Sequence, residues 1–197
     1  MTDLTNVSIL NIADFIFKGD LLTDNERNQF KSLLTRKYFK KGNLLTEPGE
    51  IAKKFYLVKD GVIRNFLICQ DHKEHTKVFH GPGGLLGSYS EFLAGRETLY
   101  YIEAVTNTTV DVFSIVDFLK LVDQTPTWIK IQQALAEASF LDKEEREIML
   151  LTMNVKQRYA AFQKRFSAFA DKIPKYMIAS YIGSTPEGLS KALKSKV

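Results

Sequence analysis

The side chains best placed to do chemistry lie close together near the C-terminus of this 197-residue chain. The run Ser184-Thr185-Pro186-Glu187-Gly188-Leu189-Ser190-Lys191-Ala192-Leu193-Lys194 offers hydroxyls, one carboxylate and two lysines. On a helix, spacings of three and four bring such groups to one face. There a carboxylate can accept from a cytosine amino group, and a lysine can reach guanine or a phosphate. Ser184 or Thr185 can cap the helix, Pro186 suits its first position, and Glu187 falls near its positive end. Gly188 costs about 1 kcal/mol against alanine, yet it allows a backbone or a thymine methyl to approach closely.

A second helical pattern precedes this one. Pro174 suits its first turn, and Ile178, Ala179 and Ile182 give it an apolar face. Gly183 fits the left-handed position that ends it. Small Ala179 lets the two helices cross closely, and Leu189 with Leu193 supplies a buried face to the second. Ile173 to Leu193 therefore reads as a helix-turn-helix, whose second helix enters the DNA major groove. An ordinary helical hairpin packed into a core shares that grammar. The candidate DNA contacts are Lys175, Ser184, Thr185, Pro186, Glu187, Gly188, Ser190, Lys191 and Lys194, with Lys175 and Lys194 as phosphate candidates.

Charge placement favours the DNA reading. From Asn154 onward nine basic residues face two acidic ones, a net +7, which leaves −3 for the rest of a chain whose total is +4. A basic tail on a mildly acidic body is the footprint of a nucleic-acid binder, although a solvated lysine-rich surface looks similar.

Other chemistry is sparse. No nucleophile–base pair, phosphate loop or pair of carboxylates stands out, so no enzyme is expected. Cys69 is the sole cysteine. That excludes an intramolecular disulfide, and it excludes a cysteine-ligated cluster or zinc site. Cys69 follows Phe66-Leu67-Ile68 and reads as a small buried hydrophobe. His72, His75 and His80 fall within nine positions, but no further ligands converge on them, so neither a metal nor a cofactor is expected. No apolar run nears the roughly 18 residues of a membrane helix. The N-terminus has no basic region followed by an apolar core, so a cytoplasmic location is expected.

The elements that would carry these groups can be read from periodicity. Residues 6–35 look helical, with Ile9, Ile12, Phe15 and Ile16 clustered and a capping box at Thr23-Asp24-Asn25-Glu26. From Lys37 to Phe113, short β-branched and aromatic runs alternate with glycine turns, which predicts an antiparallel barrel, roll or jelly roll. Val116–Val122 reads as a short helix. A helix of roughly 25 residues follows, from about Thr125 to Met153, with Trp128, Ile131, Leu135, Ala138 and Leu141 at the spacing of a dimer seam. Packing of this helix on its own barrel is the alternative. A further helix is expected from Val155 to Ala170, with Tyr159, Phe162, Phe166 and Phe169 as core. The fold class is α+β, in three parts: residues 1–122 as a β-roll, 123–153 as the long helix, and 154–197 as the helix-turn-helix.

This order resembles the CRP/FNR family of bacterial transcription regulators, particularly its short Bacteroidetes-type members. The resemblance is carried by Phe39-Lys40-Lys41-Gly42, Pro48-Gly49-Glu50, the strand–glycine–strand run from Phe55 to Arg64, Gly87 to Ala104, and the helix-turn-helix. It implies a jelly-roll-like cyclic-nucleotide-binding fold joined to a DNA-binding domain. It also implies double-stranded DNA, a second copy of the chain and RNA polymerase as partners, with no membrane. The family's nucleotide binders place a carboxylate in a Gly-Glu step and an arginine in an Arg-Ser or Arg-Thr step about ten residues later. Here those steps are Gly87-Ser88 and Thr98-Leu99, with Arg96 and Glu97 slipped by two and one residues. A one-residue slip on a strand points a side chain to the other face. The degenerate pocket of Gly87, Ser88, Tyr89, Arg96, Glu97, Thr98 and Leu99 is therefore expected not to take cyclic AMP, and an unidentified small molecule is the alternative effector. Ala170 to Ile173 leaves no room for the family's wing hairpin, and a wing strand after the second helix is not expected either. The resulting expectation is a homodimeric regulator that reads DNA. The rival is a ligand- or protein-binding module whose helix-turn-helix does not read DNA.

Overall fold

The structure, a computed structural model, describes residues 10–18 and 20–195. The expected helical start at residues 6–9, with Ile9, and Lys196 lie outside them. Two helices, α1 (Ile12–Lys18) and α2 (Asp24–Leu33), lead into the strands. Thr23 closes the capping box on α2: its hydroxyl accepts from the Glu26 N–H, and Glu26 accepts from the Thr23 N–H at 2.9 Å. The Thr125 hydroxyl donates to the same carboxylate at 2.8 Å, which ties α2 to the start of the long helix. Led by the Thr23 backbone bond, these contacts hold the Glu26 carboxyl below its usual range.

Eight strands follow: β1 (Thr35–Phe39), β2 (Leu44–Thr46), β3 (Lys54–Asp60), β4 (Ile63–Ile68), β5 (Glu74–His80), β6 (Leu85–Gly87), β7 (Tyr101–Ala104) and β8 (Thr108–Ser114). They form two four-stranded sheets with orders β1-β8-β3-β6 and β2-β7-β4-β5, and every pairing is antiparallel. Alternating apolar residues face inward from both sheets, among them Tyr56, Val58, Ile63, Ile102 and Val110. This is the expected roll. Strand β6 and the one-turn helix α3 (Tyr89–Leu93) have no periodic signal long enough to be read in advance.

Helix α4 (Ile115–Val122) leads to α5 (Pro126–Thr152), whose 27 residues run from a Thr125 N-cap to a Met153 C-cap, the expected span. Trp128 and Ile131 differ from expectation. Both are fully buried in a core shared with Phe30, Phe113 and Phe118, so they are spent on the chain's own roll and are closed to a partner. Leu135 packs at the edge of that core and Ala138 is buried, while Leu141 is 60% exposed.

Helix α6 (Val155–Arg165) is capped by Asn154, whose side chain accepts from the Gln157 N–H. It ends five residues before the expected Ala170. Phe166 takes the C-cap, and a 3-10 turn occupies Ala170–Lys172. Helices α7 (Lys175–Tyr181) and α8 (Pro186–Lys194) complete the described chain, and no strand follows β8 among the described residues. A second core joins the roll to these helices. Val62, Phe79 and Val105 pack with Phe162, Phe166, Ile178, Tyr181 and Leu189. The Phe79 ring centroid lies 5.9 Å from that of Phe162 and 5.8 Å from that of Tyr181.

Candidate DNA interface and effector pocket

The turn between α7 and α8 is built as the residues require. Gly183 has φ +67°, a conformation that costs glycine nothing. Thr185 caps α8 by accepting from the Gly188 N–H at 3.0 Å, with Pro186 next. Gly188 has a local reason to lack a side chain: a Cβ there would meet the Ser184 hydroxyl at 2.9 Å. Ala179, Ile182 and Leu189 are buried where the helices cross. Leu193 was expected beside Leu189 but is 38% exposed, because α8 has run past the core at its last turn.

With Leu189 turned inward, Pro186, Glu187, Ser190, Lys191 and Lys194 share an exposed face of α8. Thr185 is exposed at its start, Ser184 is half-buried, and Lys175 stands exposed at the first turn of α7. The arrangement presents one carboxylate, one hydroxyl and two ammonium groups at helical spacing on a rigid support. Such a face can accept from a base amino group and donate to base edges or phosphates.

Helix α7 is also pinned to the roll, a contact that nothing in the sequence pattern signals. The Ser180 hydroxyl accepts from the Thr76 N–H and donates to the Glu74 carbonyl, both at 2.8 Å. Ser180 thereby satisfies two backbone groups of β5, the edge strand of its sheet. From α5, Arg146 Nη2 donates to the Thr76 carbonyl at 3.3 Å and to the Tyr181 carbonyl at 3.0 Å. Arg158 ties α6 to the same region, donating to the Leu150 and Ile182 carbonyls.

The expected effector positions are closed on themselves. Ser88 and Thr98 are buried and hydrogen-bonded to each other at 2.7 Å. The carboxylate and arginine of the two family steps are thus replaced by a neutral pair that needs no ligand. Arg96 is exposed and pairs at 3.6 Å with buried Glu91, while Glu97 and Leu99 face outward. Tyr89 is half-buried against Phe55 and Phe92, with its hydroxyl accepting from Gln132. Gly87 and Tyr89 line a larger cavity of about 620 Å³ between the roll and α5, whose wall does not include Ser88, Arg96, Glu97, Thr98 or Leu99.

The histidines do not converge. His72 sits in the β4–β5 turn and His75 is exposed near the start of β5, whereas His80 is fully buried. Burial, and to a lesser degree the Arg165 charge, push the His80 imidazole down to about 3. Among the described residues no group of three His, Cys, Asp or Glu could hold a metal. Cys69, expected to be buried, is exposed in the β4–β5 turn. The apolar run of β4 stops one residue earlier, at Ile68.

Comparison with known proteins agrees with this architecture. Residues 36–125 match the cyclic nucleotide-binding domain family. The anaerobic regulatory protein of Haemophilus influenzae is 26% identical over 193 residues, covering 87% of this chain and 71% of that protein. The nitrogen fixation regulation protein FixK of Bradyrhizobium diazoefficiens is 26% identical over 177 residues, 84% and 73% of the two chains. Among solved structures, FixK2 from Bradyrhizobium japonicum superposes with a TM-score of 0.73 at 22% identity, over 81% of this chain and 82% of that one. The chain is similar to these regulators in sequence and shares their fold. Its roll, long helix and C-terminal helices are the CRP/FNR order, and no described helix is long and apolar enough to cross a membrane.

Proposed function

We infer that this CRP/FNR-type chain is a sequence-specific DNA-binding transcription regulator, that it works as a cytoplasmic homodimer, and that cyclic AMP does not govern it. The exposed face of α8 carries the reading. Glu187, Ser190, Lys191 and Lys194 stand outward on a helix whose opposite side is fixed by buried Leu189. Ser88 and Thr98, bonded to each other where a nucleotide's ribose and phosphate would need charged partners, support independence from cyclic AMP. Exposed Phe140, Leu141, Ile148 and Leu151 on α5 supply an apolar stripe for a second copy. Lys175 and Lys194 hold phosphates, Glu187 and Lys191 read bases, and RNA polymerase is the partner downstream.

Selection from random duplex DNA by the purified chain, without added ligand, tests this. A roughly palindromic motif with half-sites about one helical turn apart is expected. Lys191→Ala should narrow the gap between best and mismatched sites by about 1–3 kcal/mol, whereas Lys175→Ala should weaken all sites and lower the salt slope by about one. Equal loss on every sequence for Lys191→Ala would refute its base-reading role. If no sequence is enriched, the chain is instead a ligand- or protein-binding module.

A further inference from the structure

Among the described residues no strand follows β8, so α6, α7 and α8 have no wing to steady them. Polar ties to one backbone unit of the roll take its place. That unit is Thr76 on β5, the edge strand of its sheet. Its N–H donates to the Ser180 hydroxyl at 2.8 Å, and its carbonyl accepts from Arg146 at 3.3 Å. Ser180 in turn donates to the Glu74 carbonyl. Arg146 also donates to the Tyr181 carbonyl at 3.0 Å, with its guanidinium 5.0 Å from the centre of the Tyr181 ring. Thr76 thus meets one side chain from α7 and one from the long helix.

These ties connect the reading face to α5. Ala179 and Ile182 of α7 are buried with Leu189 of α8, so the two helices move as one body. Arg146 leaves α5 between Leu141 and Ile148, within the exposed stripe assigned above to a second copy. In a dimer built on that stripe, the separation of the two α8 helices is set along one route: from the stripe to Arg146, to Tyr181 and Ser180, and on to α8. With half-sites one helical turn apart, one base pair is about 3.4 Å of duplex. A dimer that prefers one spacing must hold its two reading helices to within about that distance. The hydrophobic attraction in the second core is non-directional, whereas the bonds from Ser180 and Arg146 have preferred angles as well as lengths.

We propose that Ser180 and Arg146 are positioning residues for DNA recognition: they fix the separation of the two reading helices, and with it the half-site spacing that the dimer accepts. This rests on the DNA reading given above.

Two measurements on the full-length chain test it, with Ser180→Ala and Arg146→Gln made singly and together. The first uses no DNA. Spin labels at Cys69, exposed in the β4–β5 turn, and at Lys194→Cys report the distance from the roll to the end of α8. Dilution with unlabelled chain keeps that distance within one chain. Its distribution should be about twofold broader in the double variant than in the parent. The second measures binding to operators that differ only in the number of base pairs between half-sites. The native chain should favour one spacing over its neighbours by at least about tenfold, and the double variant by less than about threefold, with base preference inside each half-site unchanged. A chain that is merely destabilised would lose the same factor at every spacing. Ser180→Ala deletes one oxygen and leaves the second core in place, so it should give an intermediate effect by itself.

The proposal is overturned if the variants keep the parent distance distribution or the native spacing preference. Native binding to one half-site sequence at every spacing alike would overturn the spacing role and leave the DNA reading standing. A native chain that prefers no sequence would sink the DNA reading, and the spacing role with it.

Discussion

The two hydrophobic cores that α5 connects are built differently. The first gathers Phe30, Phe55, Phe113, Phe118, Trp128 and Ile131 with no buried base among them. Glu26, at its edge, is satisfied by Thr23 and Thr125. The second holds Phe79, Phe162, Phe166 and Tyr181 beside polar groups that are each only partly satisfied: His80, Arg146 and Arg165. An apolar core with complementary shapes has one good packing, because any shift opens a void. A core that buries polar groups has a competing state in which water satisfies them. The first core is thus a foundation, and the second is a joint between the roll and the helix-turn-helix.

The sharpest way to break this contrast is in the foundation. Trp128→Ala should cost about 3–5 kcal/mol, since Trp128 is fully buried against Phe30 and Phe118. Equilibrium urea unfolding should show the loss in the whole chain, roll included. A loss under 1 kcal/mol would mean that α5 is not anchored there.

Acid should act on the joint instead. His80 has a folded value of about 3 against an ordinary 6.5. A depressed value means that the unfolded chain takes up the proton first. Stability is therefore full above pH 6.5 and falls as pH drops toward 3. At pH 5 the loss should be about 2 kcal/mol relative to pH 7.5. His80→Leu should flatten that part of the profile, and an unchanged profile would show that some other group sets it.

Much of the foundation was legible from sequence, and much of the joint was not. The caps at Thr23 and Thr185 are local signals, and apolar periodicity begins just after Thr125 and Asn154, so the starts of α2, α5, α6 and α8 fell where expected. Periodicity shows that Trp128 and Ile131 share a face, but not whether a partner or the roll covers it. The answer depends on Phe30 and Phe118, which are remote or separate elements in sequence. Ser180 was invisible for the same reason, since its partners lie more than 100 residues away on β5. In the pocket, the absent family residues could be read directly. The unpartnered Asn65 Oδ1 and His80 Nδ1 could not, because their burial depends on elements remote in sequence.

Ser180→Ala sharpens the comparison at smaller scale. It leaves the Thr76 N–H and the Glu74 carbonyl without their partner, a cost of about 1–2 kcal/mol. The effect should stay local. Hydrogen exchange at Thr76 and along α7 should speed up, while the β3–β8 ladder keeps its protection. Uniform loss of protection would mean that the joint and the foundation unfold as one unit.

The smallest effect on stability should come from the face of α5 that neither core uses. Leu141 is 60% exposed, and Phe140, Ile148 and Leu151 are exposed with it. Replacing Leu141 with lysine removes little buried area, so the dilute chain should keep its unfolding free energy within about 0.5 kcal/mol. If a second copy covers this stripe, the same change places a charge in an apolar interface, and sedimentation should shift from dimer toward monomer. Trp128→Ala would instead destabilise the monomer itself. A Leu141→Lys chain that remains dimeric would move the self-association surface off this stretch of α5 and leave the exposed stripe without an occupant.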